Sequence, residues 1–116
     1  MPANLAVVRR LALALPEVTE RTCYGTPGFF VRKKLMLRMR EDGETLICKV
    51  PMEQREQLLD ATPDVFSITD HYRNYPAVLI NLNAVRESVL KARIAVAWRL
   101  VAPGKLVARH PELALP

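Results

Sequence analysis

Six cations, Arg32, Lys33, Lys34, Arg38, Arg40 and Lys49, crowd one short part of the chain. Such side chains bind phosphate and carboxylate, Arg through a planar fork of donors and Lys as a compact point charge. Further on, His71-Tyr72-Arg73-Asn74-Tyr75 mixes rings that can stack with groups that donate hydrogen bonds; single-strand nucleic-acid binders use that mixture. The chemistry on offer is recognition of anions. Catalytic constellations are thinner. His71 follows Asp70, but adjacency in sequence does not orient a pair, and His110 falls in a weakly patterned tail. Cys23 and Cys48 lie on or near strand candidates, where thiols usually pack. Glu41, Asp42 and Glu44 flank a turn, which favours carboxylates for its geometry. Neither a phosphate-binding glycine pattern nor zinc-ligand spacing is present. The expectation is a non-enzyme with no cofactor and no metal.

Strands must position these cations. Residues 29–32, 35–40 and 45–50 alternate apolar and polar, separated by a Lys33-Lys34 turn and an Asp42-Gly43 turn. That is the pattern of an antiparallel meander. Strand side chains alternate between faces. Strict alternation groups Leu35, Leu37 and Met39 against Met36, Arg38 and Arg40; it groups Leu46, Cys48 and Val50 against Ile47 and Lys49, and Phe29 and Val31 against Phe30 and Arg32. One face needs a cover, and the other collects Arg32, Arg38, Arg40 and Lys49.

The chain has 116 residues, half of them hydrophobic and 25% charged, which fits one globular domain. Its net charge of +5 is unevenly spread: residues 1–40 hold eight Lys/Arg and two Asp/Glu, residues 41–70 two and eight, residues 71–116 seven and two. Clustered positive charge can steer polyanions, and it also keeps a small protein in solution. No apolar run approaches the roughly 20 residues of a membrane span. The apolar stretch 11–15 adjoins Arg9 and Arg10 and lacks a cleavage signature. With two cysteines and no CxxC pair, the expectation is reduced thiols in a cytoplasmic protein.

A first helix is expected over residues 4–15 from Leu5, Val8, Leu11, Ala12 and Leu15, stopped by Pro16. Residues 17–28 read as a connector. A polar helix follows over 51–61, opened by Pro51, then strands over 65–68 and 77–82. Asn83 is placed to cap a last helix over 84–102. Its stripe reads Val85, Val89, Ala92, Val96 and Leu100, widened by Leu90, Ile94, Ala97 and Val101. Trp98 reads as packing of that helix. The expected fold is α+β with two layers, in the order α-β-β-β-α-β-β-α. An antiparallel sheet of about five strands carries helices on one face. Residues 1–105 form the domain, and 106–116 a loose tail.

Several pieces together resemble the MmcQ/YjbR family. They are Leu13-Ala14-Leu15-Pro16-Glu17-Val18-Thr19-Glu20, Gly25-Thr26-Pro27-Gly28-Phe29, Lys34-Leu35, Leu46-Ile47-Cys48-Lys49-Val50, and Ala97-Trp98-Arg99-Leu100-Val101-Ala102-Pro103. The likeness spans about residues 5–105 and is specific only in combination. It implies a CyaY-like, double-wing α+β fold and a DNA-binding role, the latter by fold likeness alone. Two departures stand out. Lys33 occupies a turn position where the family often has Gly, and Tyr75-Pro76-Ala77 occupies a region where it commonly has Trp.

Residues and resemblance together lead to a small non-catalytic domain binding duplex DNA weakly through its basic sheet face. The expected contacts are Arg32, Lys33, Lys34, Arg38, Arg40 and Lys49, with Tyr72, Arg73 and Tyr75 at the rim. The alternative is a module using the same face for a protein partner, a second copy of the chain, or an acidic ligand. No membrane partner is expected.

Overall fold

Asn4 opens the first helix by accepting a hydrogen bond from the Val7 N–H on its side-chain oxygen at 3.0 Å. The structure, a computed structural model, describes residues 3–113. Helix α1 (Leu5–Leu13) buries Val8, Leu11 and Ala12. It stops two residues short of the expected end: Ala14, still in the helical region, is its C-cap, and Pro16 disfavours that conformation for Leu15 before it.

Among the described residues six strands follow a common antiparallel plan, one more than expected: β1 (Val18–Cys23), β2 (Thr26–Val31), β3 (Lys34–Met39), β4 (Thr45–Lys49), β5 (Phe66–Ser67) and β6 (Ala77–Asn81). Their spatial order is β1-β2-β3-β4-β6-β5. The additional strand is β1, in the stretch read as a connector. A two-residue loop, Tyr24-Gly25, joins it to β2, with φ of 52° and 81°. Positive φ at both central residues is what a tight hairpin of this hand requires. Pro27 and Gly28 looked like chain breakers, yet both pair within β2, opposite Thr22 and Arg21. Gly28 is there for space: a Cβ at this position would come within 2.8 Å of the Cys23 Cβ.

Strict alternation fails once. Phe30 pairs with Leu35, but Phe29 pairs with Leu37, so Met36 is an extra residue in β3. A bulge of this kind reverses the facing of everything on one side of it. Met36 therefore joins Leu37 and Met39 in the helix-covered core, and Leu35 moves to the same side as Arg38. The other facings hold, with Phe29, Val31, Leu46, Cys48 and Val50 all in that core.

Helix α2 (Met52–Ala61) follows Pro51. A single 3-10 turn, Asp70–Tyr72, leads toward β6. Helix α3 (Glu87–Val101) begins later than expected, after Arg86 rather than Asn83. Asn81 explains this: its carbonyl accepts from the Ala84 and Val85 N–H groups, and its side chain accepts from Asn83 N–H at 3.0 Å. The buried residues of α3 are Leu90, Ile94, Val96, Ala97 and Trp98. Val89, Ala92 and Leu100, expected inside, lie outward. Trp98 is fully buried, and its indole N–H donates to the Pro16 carbonyl at 2.9 Å, tying α3 to the end of α1. Residues 106–113 do not trail loosely. Helix α4 (Gly104–Ala108) and a 3-10 turn (Pro111–Leu113) pack down, and Leu106 is buried in the main core. The rest of the expected tail, 114–116, lies outside the described residues. A second, smaller apolar cluster (Ile47, Ala77 and Leu79, with Tyr72 against it) occupies the opposite side of the sheet.

Candidate binding site on the open sheet face

Opposite the helices, the sheet floor is apolar at Leu35, Ile47 and Ala77 and cationic at Arg38 and Lys49. The β1–β2 hairpin and the 70–76 loop rise beside this floor. Together they enclose a cavity of about 450 Å³ lined also by Tyr24, His71, Tyr72 and Tyr75. That size is within the usual range for small-ligand sites. All three of the chain's tyrosines line it. The Tyr72 and Tyr75 rings meet edge to face at 6.2 Å, and His71 meets Tyr72 at 4.8 Å. The Lys49 ammonium lies 4.3 Å from the Tyr75 ring centroid, and the Arg38 guanidinium lies 5.6 Å from that of Tyr24.

Arg38 is the better anchored of the cavity's two cations. Its Nη1 donates to Thr26 Oγ1 at 3.1 Å, to the Met39 carbonyl at 3.4 Å and to Glu41 Oε1 at 3.4 Å. Burial works against its charge, but the Tyr72 hydroxyl and the Glu41 carboxylate outweigh it and raise the pKa above the ordinary value. The group is a permanent cation held in a fixed direction.

The aromatic loop is held from beneath by a residue of the helix read from its sequence as polar. Arg55 of α2 is only 8% exposed. Its Nη1 donates to the carbonyls of Tyr72, Tyr75 and Ala77 at 2.8, 2.7 and 3.2 Å, and its Nη2 to that of Arg73 at 2.6 Å. A guanidinium suits this task because its donors form a rigid planar fork. The available signal was spacing: Arg55 precedes Leu58 and Leu59 by three and four residues, on the helix's one apolar stripe.

The expected cationic row is divided. Arg38 and Lys49 line the cavity with Tyr72 and Tyr75, joined by Tyr24 and His71, which were not among the expected contacts. Arg32 takes the first place of the two-residue turn between β2 and β3, at φ 56°, and donates to Glu17 at 2.7 Å. Lys33 and Lys34 are exposed beside it, and Arg40 lies just past β3. Arg73 is exposed and pairs with Asp70 at 2.6 Å. Tyr24, 86% exposed, was missed because it sits in the supposed connector.

The remaining reactive groups lie elsewhere. The Cys48 thiol is fully buried, and burial pushes its pKa up to about 12 against a modest opposing pull from Arg93. His110 contacts Glu112 at 3.0 Å and faces the Trp98 ring. Among the described residues, no helix is long and apolar enough to cross a membrane.

A family model described as YjbR matches residues 13–100. A solved structure, that of the Deinococcus radiodurans protein DR2400 with the family-model domain DUF419, is similar at a TM-score of 0.75. It is 22% identical, and the match covers 98% of this chain and 90% of that one. At that identity the likeness is one of fold. No curated protein matches.

Proposed function

This chain belongs to the YjbR family, and from that premise and the geometry of the sheet face we propose a small non-catalytic domain that binds nucleic acid, favouring an unpaired stretch over closed duplex. One observation carries the reading: two cations, Arg38 and Lys49, stand among all three tyrosines in a single concave site. Tyrosine faces stack on bases of any sequence, and each stacked base contributes about 1–3 kcal/mol. Guanidinium and ammonium groups beside the stack meet the phosphates. A duplex keeps its base faces covered, so a recessed aromatic site gains little from it. The cations at the β2–β3 turn can add backbone contacts without reading sequence.

The non-catalytic part of the reading is supported by the state of the candidate groups. The Cys48 thiol is buried and stays protonated near neutral pH, and His71 packs its ring on Tyr72. Two free thiols suit the reducing interior of a cell. An acidic segment of a protein partner is the second reading, favoured by the small number of cations in the cavity itself.

Fluorescence anisotropy with a labelled single strand, the matching duplex and an acidic peptide tests the choice. Two phosphates neutralised on a single strand give log K against log salt a slope of roughly −1.4. The single strand binds tightest if the reading is right. Tightest binding of the peptide, or equal binding of strand and duplex, would reject it.

A further inference from the structure

Resting on the sheet-face reading above, we infer that the cavity is a one-nucleotide subsite, for which a free nucleoside monophosphate is a complete minimal ligand. The cavity holds about 450 Å³, ample for one base with its sugar and phosphate and too small for a run of stacked bases. Its lining also carries each kind of group such a ligand requires. Leu35, Ile47 and Ala77 offer an apolar bed, Tyr72 and Tyr75 offer ring surface, and Arg38 and Lys49 supply positive charge at the same site.

The two exposed rings are the ones free to respond. Tyr24 is 86% exposed and Tyr75 51% exposed, whereas Arg38 is mostly covered. Tyr24 is also held at φ 52°, a region that bulky residues avoid and that strained functional positions often occupy. A large ring in that turn, against an unfavourable backbone and with little packing of its own, is accounted for by contact with a bound base. Base and phosphate call on different side chains of the site, so neither alone suffices. Adenosine lacks the charge, and inorganic phosphate leaves the apolar bed and the rings unused.

Competition against a labelled oligo-dA strand, with AMP, adenosine and inorganic phosphate as separate competitors, tests this. AMP is expected to displace the strand at roughly millimolar concentration, with adenosine and phosphate each at least about tenfold weaker. Tyr24→Asn, on the exposed turn, is expected to weaken AMP and the strand together without unfolding the protein. If the strand binds and millimolar AMP fails to displace it, the one-nucleotide site is wrong while nucleic-acid binding stands. If neither strand nor AMP binds to the folded protein, both fail. Displacement by phosphate as effective as by AMP would also overturn the inference, reducing the site to a simple anion hole.

Discussion

The Lys49 ammonium lies 4.3 Å from the centre of the Tyr75 ring, on the side of the sheet away from the helices. A cation over a ring face is attracted to it by about 0.5–1 kcal/mol at an exposed site. The pair thus keeps the charge close to a stacking surface instead of letting it swing into solvent. Replacing Lys49 with Met is expected to lower nucleic-acid affinity about tenfold while shifting thermal unfolding by only a few degrees. Anisotropy and differential scanning calorimetry on the same sample check both halves.

Tyr24 gives the opposite combination, with stability gained and binding lost. Asn tolerates positive φ far better than Tyr, and Asn-Gly is the preferred pair for this hairpin loop. Tyr24→Asn is expected to stabilise the fold by about 0.5–1 kcal/mol and to weaken the ligand. Urea unfolding and a binding isotherm measure the two effects. A destabilised variant would show that the Tyr24 ring supports the fold.

Arg55 reads out the support of the aromatic loop. Lys in its place keeps the charge but cannot span four carbonyls, so buried acceptors are left unmet. The expected loss is about 2–4 kcal/mol of stability, together with weaker binding even well below the unfolding midpoint. Amide exchange should rise first across residues 72–77. Unchanged exchange there would detach Arg55 from the site.

Acid should weaken the fold modestly through two exposed carboxylates. The Asp42 pKa is lowered chiefly by the Glu44 N–H, opposed by burial and assisted by Thr45. That of Glu17 is lowered chiefly by its hydrogen bond from Arg32. A carboxyl depressed in the folded state contributes stability that is fully present above its unfolded pKa and is lost as pH falls through the folded one. Stability is therefore expected to be flat down to about pH 5 and to decline below the ordinary carboxyl range. Glu17→Gln should shrink that decline, as urea midpoints across pH would show.

Thiol labelling separates the cysteines. Cys23, half-buried, should react with a disulfide reagent in the folded protein. Cys48, with its pKa pushed up to about 12, should react only after denaturation. Mass spectrometry of the labelled peptides decides it.

The two-layer plan was legible because helix and strand periods were clean in α1, in β4 and along much of the sheet. What escaped the sequence was geometry that periodicity does not encode. One residue, Met36, breaks the alternation, and nothing about Leu35-Met36-Leu37 says which of three apolar side chains is the extra one. The stripe of α3 was ambiguous for the same reason: its apolar residues surround most of the helix, and Leu90 and Ile94 won over Val89 and Leu100 only by packing. Tyr24-Gly25 lay hidden behind Pro27 and Gly28, whose usual meaning is a break. Of the site, Arg38, Lys49, Tyr72 and Tyr75 could be read from alternation and the aromatic cluster. Tyr24 and Arg55 reach the site through the β1–β2 turn and a long-range set of carbonyl bonds that no local pattern announces.

The most direct test is an NMR titration of the isotope-labelled protein with a short single strand at low salt. The amides that move should be those of Tyr24, residues 35–38, residues 47–49 and residues 71–77, with smaller shifts at Lys33 and Lys34. Shifts confined to the Arg32–Lys34 turn, or spread over α1 and α3, would contradict a binding site built from the tyrosines and the two cations between them.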